Sequence, residues 1–157
     1  MTEKEFEKYY FLYSKEVFKV AYSYTNQKEE AEDILQNVFV KLINNKNQFK
    51  DDQEIKYWLI RITINESIDY LRYRNKRKKI KDYIYQAEYR NNKEQENFEL
   101  SYHISKLPDK YKKVILLYYY NNYSTKDISS LLKIKEDNVR KLLERGRKLL
   151  KERLEEN

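Results

Sequence analysis

Two stretches of this 157-residue chain concentrate side chains that bind anions. From Arg72 to Lys81, seven of ten positions are Lys or Arg. Like charges at this density destabilise an isolated helix. We therefore interpret the run as a binding site for a polyanion rather than as a plain solvated helix end. The run lacks an apolar stripe that would bury into lipid, which disfavours a membrane surface as the partner.

The second stretch lies near the C-terminus. A capping box at 124–127 predicts a helix over 125–132, and a longer helix begins at Glu136 after a turn at 133–135. These are the proportions of a helix-turn-helix, whose second helix lies in the DNA major groove, although an ordinary helical hairpin has them too. In that groove Arg or Lys pairs with guanine and Asn with adenine. The outward positions of the longer helix are Asn138, Arg140, Lys141, Glu144, Arg145, Arg147 and Lys148.

Two clusters of acidic residues could hold a divalent metal in a nuclease. Both lie at predicted helix starts, where acids usually offset the helix dipole, and neither has a catalytic base in sequence. We therefore expect a protein that is not an enzyme and needs neither metal nor cofactor. The clusters are Glu29, Glu30, Glu32 and Asp33, and Asp51, Asp52 and Glu54.

The composition excludes several other classes. One Gly and one Pro leave almost nothing for the tight turns of β folds. A lone Gly146 cannot build a glycine-rich phosphate loop or a dinucleotide-binding turn. With no Cys and one His, thiolate zinc sites and disulfides are excluded. We expect an all-α protein, with His103 in a linker or at a helix start and without a chemical role.

Apolar residues at three- and four-residue steps predict amphipathic helices over 3–25 and 28–44, with Asn26 as the N-cap of the second. After a polar loop at 44–54, a third helix opens near Asp52 and ends in the basic run. Trp58 is assigned to the core because it falls in register with the apolar face of this helix. Other positions in the apolar patterns are Ile34, Leu35, Val38, Phe39, Leu42, Ile43, Ile55, Leu59, Ile62, Ile68 and Leu71.

The pattern divides the chain into two small helical domains. Residues 1–81 form the first, 82–103 lack a sustained period and form a linker that is helical at most in part, and 104–157 form the second. The inward stripe of the last helix runs from Val139 to Leu154. Positive charge follows this division, since 56–81 carry +7 and 104–157 carry +6 while the remaining segments are net acidic.

Two motifs resemble the sigma factors of bacterial RNA polymerase, in particular the small extracytoplasmic-function (ECF) group. Residues 31–42 (AEDILQNVFVKL), with 58–65 (WLIRITIN) and 69–72 (DYLR), are similar to the family's domain two. Residues 107–117 (LPDKYKKVILL), continued through the helix-turn-helix to Leu150, are similar to its domain four. Both motifs in this order make the resemblance specific, and it implies a protein that binds core polymerase and directs promoter recognition, strand opening and transcription initiation.

The resemblance implies three sets of contacts. Domain two would dock on the clamp coiled coil of the largest polymerase subunit through Asp33, Gln36, Asn37 and Lys41. It would also hold the minus-ten element as single-stranded DNA, with a flipped base captured by the loop at 44–54 and the matching residues Phe49, Lys56, Tyr57, Arg61, Asn65, Arg72, Arg74, Lys76 and Arg77. Domain four would read the minus-thirty-five element as duplex through Lys135, Asn138, Arg140, Lys141, Glu144 and Arg145.

The chain departs from the family pattern at three positions. Asn37 stands where an acid is common, which weakens an ionic contact there. Lys133 and Asn122 stand where glycines are common, and a positive φ at Lys133 costs about 1 kcal/mol.

The alternative function is a stand-alone helix-turn-helix regulator that binds duplex operator DNA, although it gives no account of residues 27–81. On the sigma-factor interpretation we expect a cytoplasmic protein without membrane insertion, and the resemblance admits an anti-sigma factor as a further partner.

Overall fold

A computed structural model describes the backbone of residues 1–77 and 92–156 and the side chains of residues 1–74 and 99–156. The regular elements in these residues are all helical, which confirms the predicted all-α class. The helices are α1 (Glu3–Thr25), α2 (Lys28–Asn44), α3 (Asp52–Arg77), α4 (Asn92–Ser105), α5 (Asp109–Ile115), α6 (Thr125–Leu132) and α7 (Glu136–Glu155), and a π-helical turn (Leu116–Tyr120) extends α5.

Local hydrogen bonds define both ends of α1. At its start, Thr2 Oγ1 accepts from the Glu5 N–H at 3.1 Å, and the Glu5 carboxylate accepts from the Thr2 N–H at 3.2 Å. At its end, Asn26 has φ 56° and its N–H donates to Tyr22 O at 2.8 Å. The prediction that Asn26 caps α2 is therefore wrong. Asn tolerates the left-handed region that closes a helix, and Gln27 precedes α2 without a side-chain cap.

Helices α1, α2 and α3 form the first unit, around a core that includes Val17, Val38 and Leu59, each fully buried. Trp58 packs at the edge of this core, where it is half-buried and its ring meets that of Phe49 edge-on with centroids 5.6 Å apart. Its assignment to the core is therefore correct, although contact with solvent remains.

Three positions on these helices differ from the periodic pattern. Ile43 was expected to face inward but is 54% exposed, because it lies in the last turn of α2 on the solvent side. Conversely, Thr63 and Ser67 of α3 are fully buried between apolar neighbours, and the Thr63 hydroxyl donates to Leu59 O at 2.7 Å. Helix α3 is thus covered on more than one face.

Helices α4 to α7 and the π-helical turn form the second unit. The Ser124 hydroxyl caps α6 by accepting from the Asp127 N–H at 3.0 Å, and α6 ends at Lys133, whose φ is 59°. Gly146 lets α7 approach α5 closely, because a Cβ there would lie 2.8 Å from Ile115 Cδ1. The inward prediction for Leu154 is wrong, since it lies in the last turn of α7 and is 42% exposed.

Helix α4 includes the last residues of the predicted linker and packs as part of the second unit. Ile104 is buried there, and His103 lies in the last turn of α4 with only 8% of its surface exposed. The expectation that His103 lies at a helix start is therefore wrong, because it lies near the end of a helix. Residues 82–91 of that linker, and Lys78, Lys79 and Lys81 of the basic run, lie outside the described residues.

The two units pack against each other along a surface that we call the seam. On one side lie α1 and α3, and on the other the π-helical turn and α6. Tyr123, which follows the turn, is buried in the seam and donates its hydroxyl proton to the Glu16 carboxylate. Nearby, Asn121 Nδ2 lies 3.4 Å from Ser23 Oγ. The seam therefore contains polar contacts between residues that are far apart in sequence.

Candidate nucleic-acid interface

The outer face of α7 carries the residues predicted to meet duplex DNA. Val139, Leu143 and Gly146 are buried on the inner face of this helix, and the exposed positions between them point away from the second unit. All six residues predicted to contact duplex DNA are exposed. They are Lys135, immediately before the helix, and Asn138, Arg140, Lys141, Glu144 and Arg145 on the helix. A helix with one packed face and one polar face can enter a major groove.

Arg140 is held by a group of side chains that we call the Arg140 network. Its Nη2 donates to Glu136 Oε1 at 2.9 Å and its Nη1 to Asp137 Oδ1 at 3.0 Å. The same Glu136 oxygen accepts from Thr125 Oγ1 of α6 at 2.9 Å. Sequence analysis missed this network, although the spacing of both acids from Arg140 permits such pairs.

Arg147 is exposed, as predicted, and is also held by tyrosines of the π-helical turn. Its Nε donates to Tyr119 Oη at 2.6 Å, and its guanidinium lies 5.9 Å from the ring centroid of Tyr118. Beside it, an apolar groove of about 550 Å³ runs between α4, the turn and α7. Sequence analysis missed this groove, whose lining includes Leu100, Ile104, Tyr119, Tyr120, Leu150 and Leu154.

The predicted polymerase-binding edge lies on the solvent face of α2. Lys41 forms an ion pair with Glu66 of α3, which links this edge to the next helix. Val40 and Ile43 are each more than half exposed on α2. The edge therefore combines polar and apolar surface. Its predicted residues, all exposed, are Asp33, Gln36, Asn37 and Lys41.

The loop before α3 borders an open groove of about 830 Å³ against the start of α1. Phe49 lines this groove while one edge of its ring packs on Trp58. Tyr57 is half-buried, and its hydroxyl accepts from Gln53 Nε2 at 3.3 Å. Asn65 is exposed one turn beyond Arg61 on α3. The structure thus places Phe49, one of the two aromatic residues predicted to contact the minus-ten element, in a groove, and Tyr57, the other, on the helix that follows the loop.

Three cations of α3 that are predicted to contact the minus-ten DNA are engaged by protein groups at or near the seam. Arg61 Nη1 donates to Leu131 O of α6 at 3.0 Å. Lys56 Nζ lies 3.4 Å from Glu16 Oε2, and Arg72 Nη2 lies 2.9 Å from Asp109 Oδ2. Burial lowers the pKa of Arg61, and the nearby Glu54 carboxylate partly offsets this.

Arg74 has a different environment from the other cations of α3. Its side chain is only 10% exposed, and Nη1 donates to Glu30 Oε2 at 2.7 Å and to Thr25 O at 3.2 Å. These bonds connect the end of α3 to the start of α2 and the end of α1. The side chains of Lys76 and Arg77, also predicted to bind DNA, lie outside those that the structure describes.

Burial also shapes the polar groups of the seam. It raises the pKa of Tyr123, and the hydrogen bond to the Glu16 carboxylate adds to that effect. Burial lowers the pKa of Lys112, whose Nζ lies 3.6 Å from Asp109 Oδ1, while that carboxylate opposes the shift. The seam therefore holds a neutral tyrosine against a carboxylate, while Lys112, on α5 outside the seam, keeps an acidic neighbour.

Among the described residues, no group of three or more His, Asp or Glu side chains is placed to hold a metal ion. Nor does any helix there have the length and apolar character needed to cross a membrane.

Comparisons with known proteins cover both units. The family model described as Sigma-70 region 2 matches residues 10–77, and that described as Sigma-70, region 4 matches residues 98–150. Two relatives from Bacillus subtilis (strain 168) are each 30% identical. The ECF RNA polymerase sigma factor SigM aligns over 148 residues, 90% of this chain and 90% of SigM. The ECF RNA polymerase sigma factor SigW aligns over 164 residues, 91% of this chain and 85% of SigW.

Two solved structures share the arrangement of helices. CnrH, in complex with the cytosolic domain of CnrY, matches with a TM-score of 0.71 over 99% of this chain and 91% of CnrH. RpoE from Bartonella quintana, in complex with the anti-sigma factor NepR, matches with a TM-score of 0.65 over 97% of this chain and 98% of RpoE. Both are 19% identical to this chain, so they show the likeness of the fold alone.

Proposed function

The chain belongs to the extracytoplasmic-function sigma factors of the sigma-70 family, and from this membership we propose which of its surfaces meet polymerase and promoter. Members of this family are DNA-binding regulators, and the chain is a sigma factor for transcription initiation. The observation that carries the proposal is the presence of region 2 and region 4 on one chain, at residues 10–77 and 98–150.

The α2 edge binds core RNA polymerase, through the clamp coiled coil of its largest subunit. Asp33, Gln36 and Asn37 supply exposed acceptors for cationic side chains of the partner, and the exposed Val40 and Ile43 add apolar contact area. Such a mixture of apolar centre and polar rim is typical of protein interfaces.

The groove beside the loop 45–51 receives a base of the minus-ten element. Extruding a base costs a few kcal/mol, which stacking on an aromatic ring offsets. Phe49 already lies in the groove and Tyr57 stands on the adjoining helix. The exposed Asn65 then supplies polar contacts to the extruded strand.

The cations of α3 hold the phosphates of the melted strand after they leave their present acceptors. Lys56, Arg61 and Arg72 now contact protein oxygens, so contact with DNA requires these bonds to be exchanged. We assign Arg74 instead to holding α3 on α2, because its buried pair with Glu30 leaves little surface for a phosphate.

The outer face of α7 reads the minus-thirty-five element. Arg140 and Arg145 reach the bases, while Lys135 and Asn138 lie nearer the backbone phosphates. The exposure of all these side chains on one polar helix face supports the assignment.

We further propose an anti-sigma factor as a partner and the cytoplasm as the site of action. The two similar structures are complexes, CnrH with the cytosolic domain of CnrY and RpoE with the anti-sigma factor NepR. Polymerase and promoter, the partners of a sigma factor, are in the same compartment.

Reconstitution with bacterial core RNA polymerase on a promoter library tests the proposed function. Run-off transcripts should appear only when chain and core enzyme are combined, and the chain alone should bind promoter duplex poorly. A variant with Asp33→Ala and Gln36→Ala should lose co-elution with core enzyme. Lys28→Ala, in the first turn of the same helix, is the matched control. Tight duplex binding without polymerase, and no co-elution, would instead support the stand-alone regulator.

A further inference from the structure

The Arg140 network connects the two helices of the helix-turn-helix around one cation. We propose that Glu136 and Asp137 set the selectivity of Arg140 for its base in the minus-thirty-five element, with Thr125 as a positioning residue. This inference rests on the proposed assignment of α7 to that element.

The hydrogen bonds of the network fix the plane of the guanidinium. Both terminal nitrogens of Arg140 are engaged, at 2.9 Å to Glu136 and 3.0 Å to Asp137. A guanidinium carries five N–H donors in one plane, so donors remain available in a fixed orientation. Reading guanine O6 and N7 requires two parallel donors from such a plane. The carboxylates therefore hold Arg140 ready for a base contact.

The two carboxylates also offset the charge of Arg140. Attraction to phosphate follows net charge and does not depend on sequence, whereas the paired contact to guanine depends on geometry. Carboxylates beside the cation therefore weaken binding to wrong sequences more than binding to the right one. Within the described part of the chain, Lys141 and Arg145 of α7 make no ion pair, so Arg140 differs from its basic neighbours on this face.

Thr125 distinguishes this network from an ordinary surface pair. Its hydroxyl ties Glu136 to α6 at 2.9 Å, so Glu136 is oriented by a second helix. By contrast, Lys151 and Glu155 pair on α7 at 4.0 Å with both side chains well exposed and with no such tie among the described residues. The two pairs share their i,i+4 spacing and helix, which makes Glu155 a matched control.

The test measures binding of the full chain, assembled with core RNA polymerase, to promoter duplexes randomised in the upstream element. Glu136→Gln with Asp137→Asn removes charge but keeps shape, and Thr125→Val removes the tie but keeps charge. We expect the double variant to bind non-cognate duplexes about fivefold more tightly and cognate duplexes within about twofold of wild type. Thr125→Val should lower discrimination about twofold at the Arg140 base alone, with the salt dependence unchanged.

Glu155→Gln should leave discrimination unchanged, and circular dichroism should show each variant folded at the assay temperature. The inference would be overturned if the double variant gained affinity equally for all sequences, or if discrimination were unchanged in both network variants. Arg140→Ala separates this failure from that of the proposed function. If Arg140→Ala reduces discrimination while the network variants do not, only the network inference fails. If Arg140→Ala has no effect on discrimination, the assignment of Arg140 itself fails, and the inference with it.

Discussion

Replacing Arg74 with Met should destabilise the first unit far more than it affects DNA binding. The substitution keeps the apolar stem but removes the guanidinium, which leaves the Glu30 carboxylate and Thr25 O without this donor. Both side chains of the pair are nearly buried, at 10% and 12% exposed. Removing one partner of a buried pair costs about 3–5 kcal/mol, and slight exposure favours the lower value of about 3 kcal/mol.

The matched control is Arg72→Met, two residues earlier on the same helix. Arg72 pairs with Asp109 at a similar distance, but its side chain is 67% exposed, so its loss should cost no more than about 1 kcal/mol. For a chain of this length, about 3 kcal/mol lowers the unfolding midpoint by about 6–12 °C. The fluorescence of Trp58, the single tryptophan, reports unfolding of the first unit directly.

Thermal and urea unfolding of both variants measure whether the loss of Arg74 costs more stability than the loss of Arg72. If Arg74→Met unfolds at the same temperature as Arg72→Met, the pair with Glu30 contributes little and our argument from burial fails. A loss of promoter affinity without a loss of stability would return Arg74 to the phosphate contacts.

Three further predictions concern the second unit. Folding raises the pKa of Tyr123, so the folded protein keeps its hydroxyl protonated. The contribution of Tyr123 to the free energy of unfolding should therefore be full below the unfolded pKa of about 10 and decrease as the pH rises above it. In urea unfolding at pH 9 to 11, Tyr123→Phe should lose less stability with rising pH than the wild type, and an equal loss would contradict this prediction. Lys133→Gly should raise the free energy of unfolding by about 1 kcal/mol, because Lys133 has a φ of 59°. Asn122→Gly should raise it by less, because Asn tolerates the left-handed region better than Lys. Equal increases for both variants in urea unfolding would contradict the steric argument. Arg145→Ala should lose about 1–3 kcal/mol of discrimination at the upstream element, measured by competition between duplexes, and equal weakening on all sequences would make Arg145 a phosphate contact.

Helix positions could be predicted from the sequence because local signals agree. The capping residue Ser124 and the apolar steps of α6 give the same bounds, 125–132, that the structure has. Asn26 shows where such signals are ambiguous, since Asn suits both the start of one helix and the end of another. Ile43 and Leu154 follow the apolar period, but each lies in the last turn of its helix and remains about half exposed, at 54% and 42%.

The contacts of the candidate site were less accessible to sequence reasoning. Exposure of the α7 face follows from its period, whereas the acceptors of Arg61 and Lys56 depend on how two distant segments pack. The burial of Thr63 has the same origin, because α3 is covered by more than one neighbour. The pairing of Arg74 with Glu30 joins residues 44 apart, which no local pattern indicates.

The contact between Glu16 and Tyr123 joins residues 107 apart, so it can form only late in the synthesis of the chain. N-terminal segments generally fold first while the ribosome is still elongating the chain. Until Tyr123 has been translated, the first unit lacks the ring whose centroid lies 5.8 Å from Lys56 Nζ and the Leu131 carbonyl that accepts from Arg61, although Glu16 can already pair with Lys56. The last third of the message therefore encodes a partner for each of these two cations, so a nascent chain that stalls before that point exposes them to solvent more than the finished protein does.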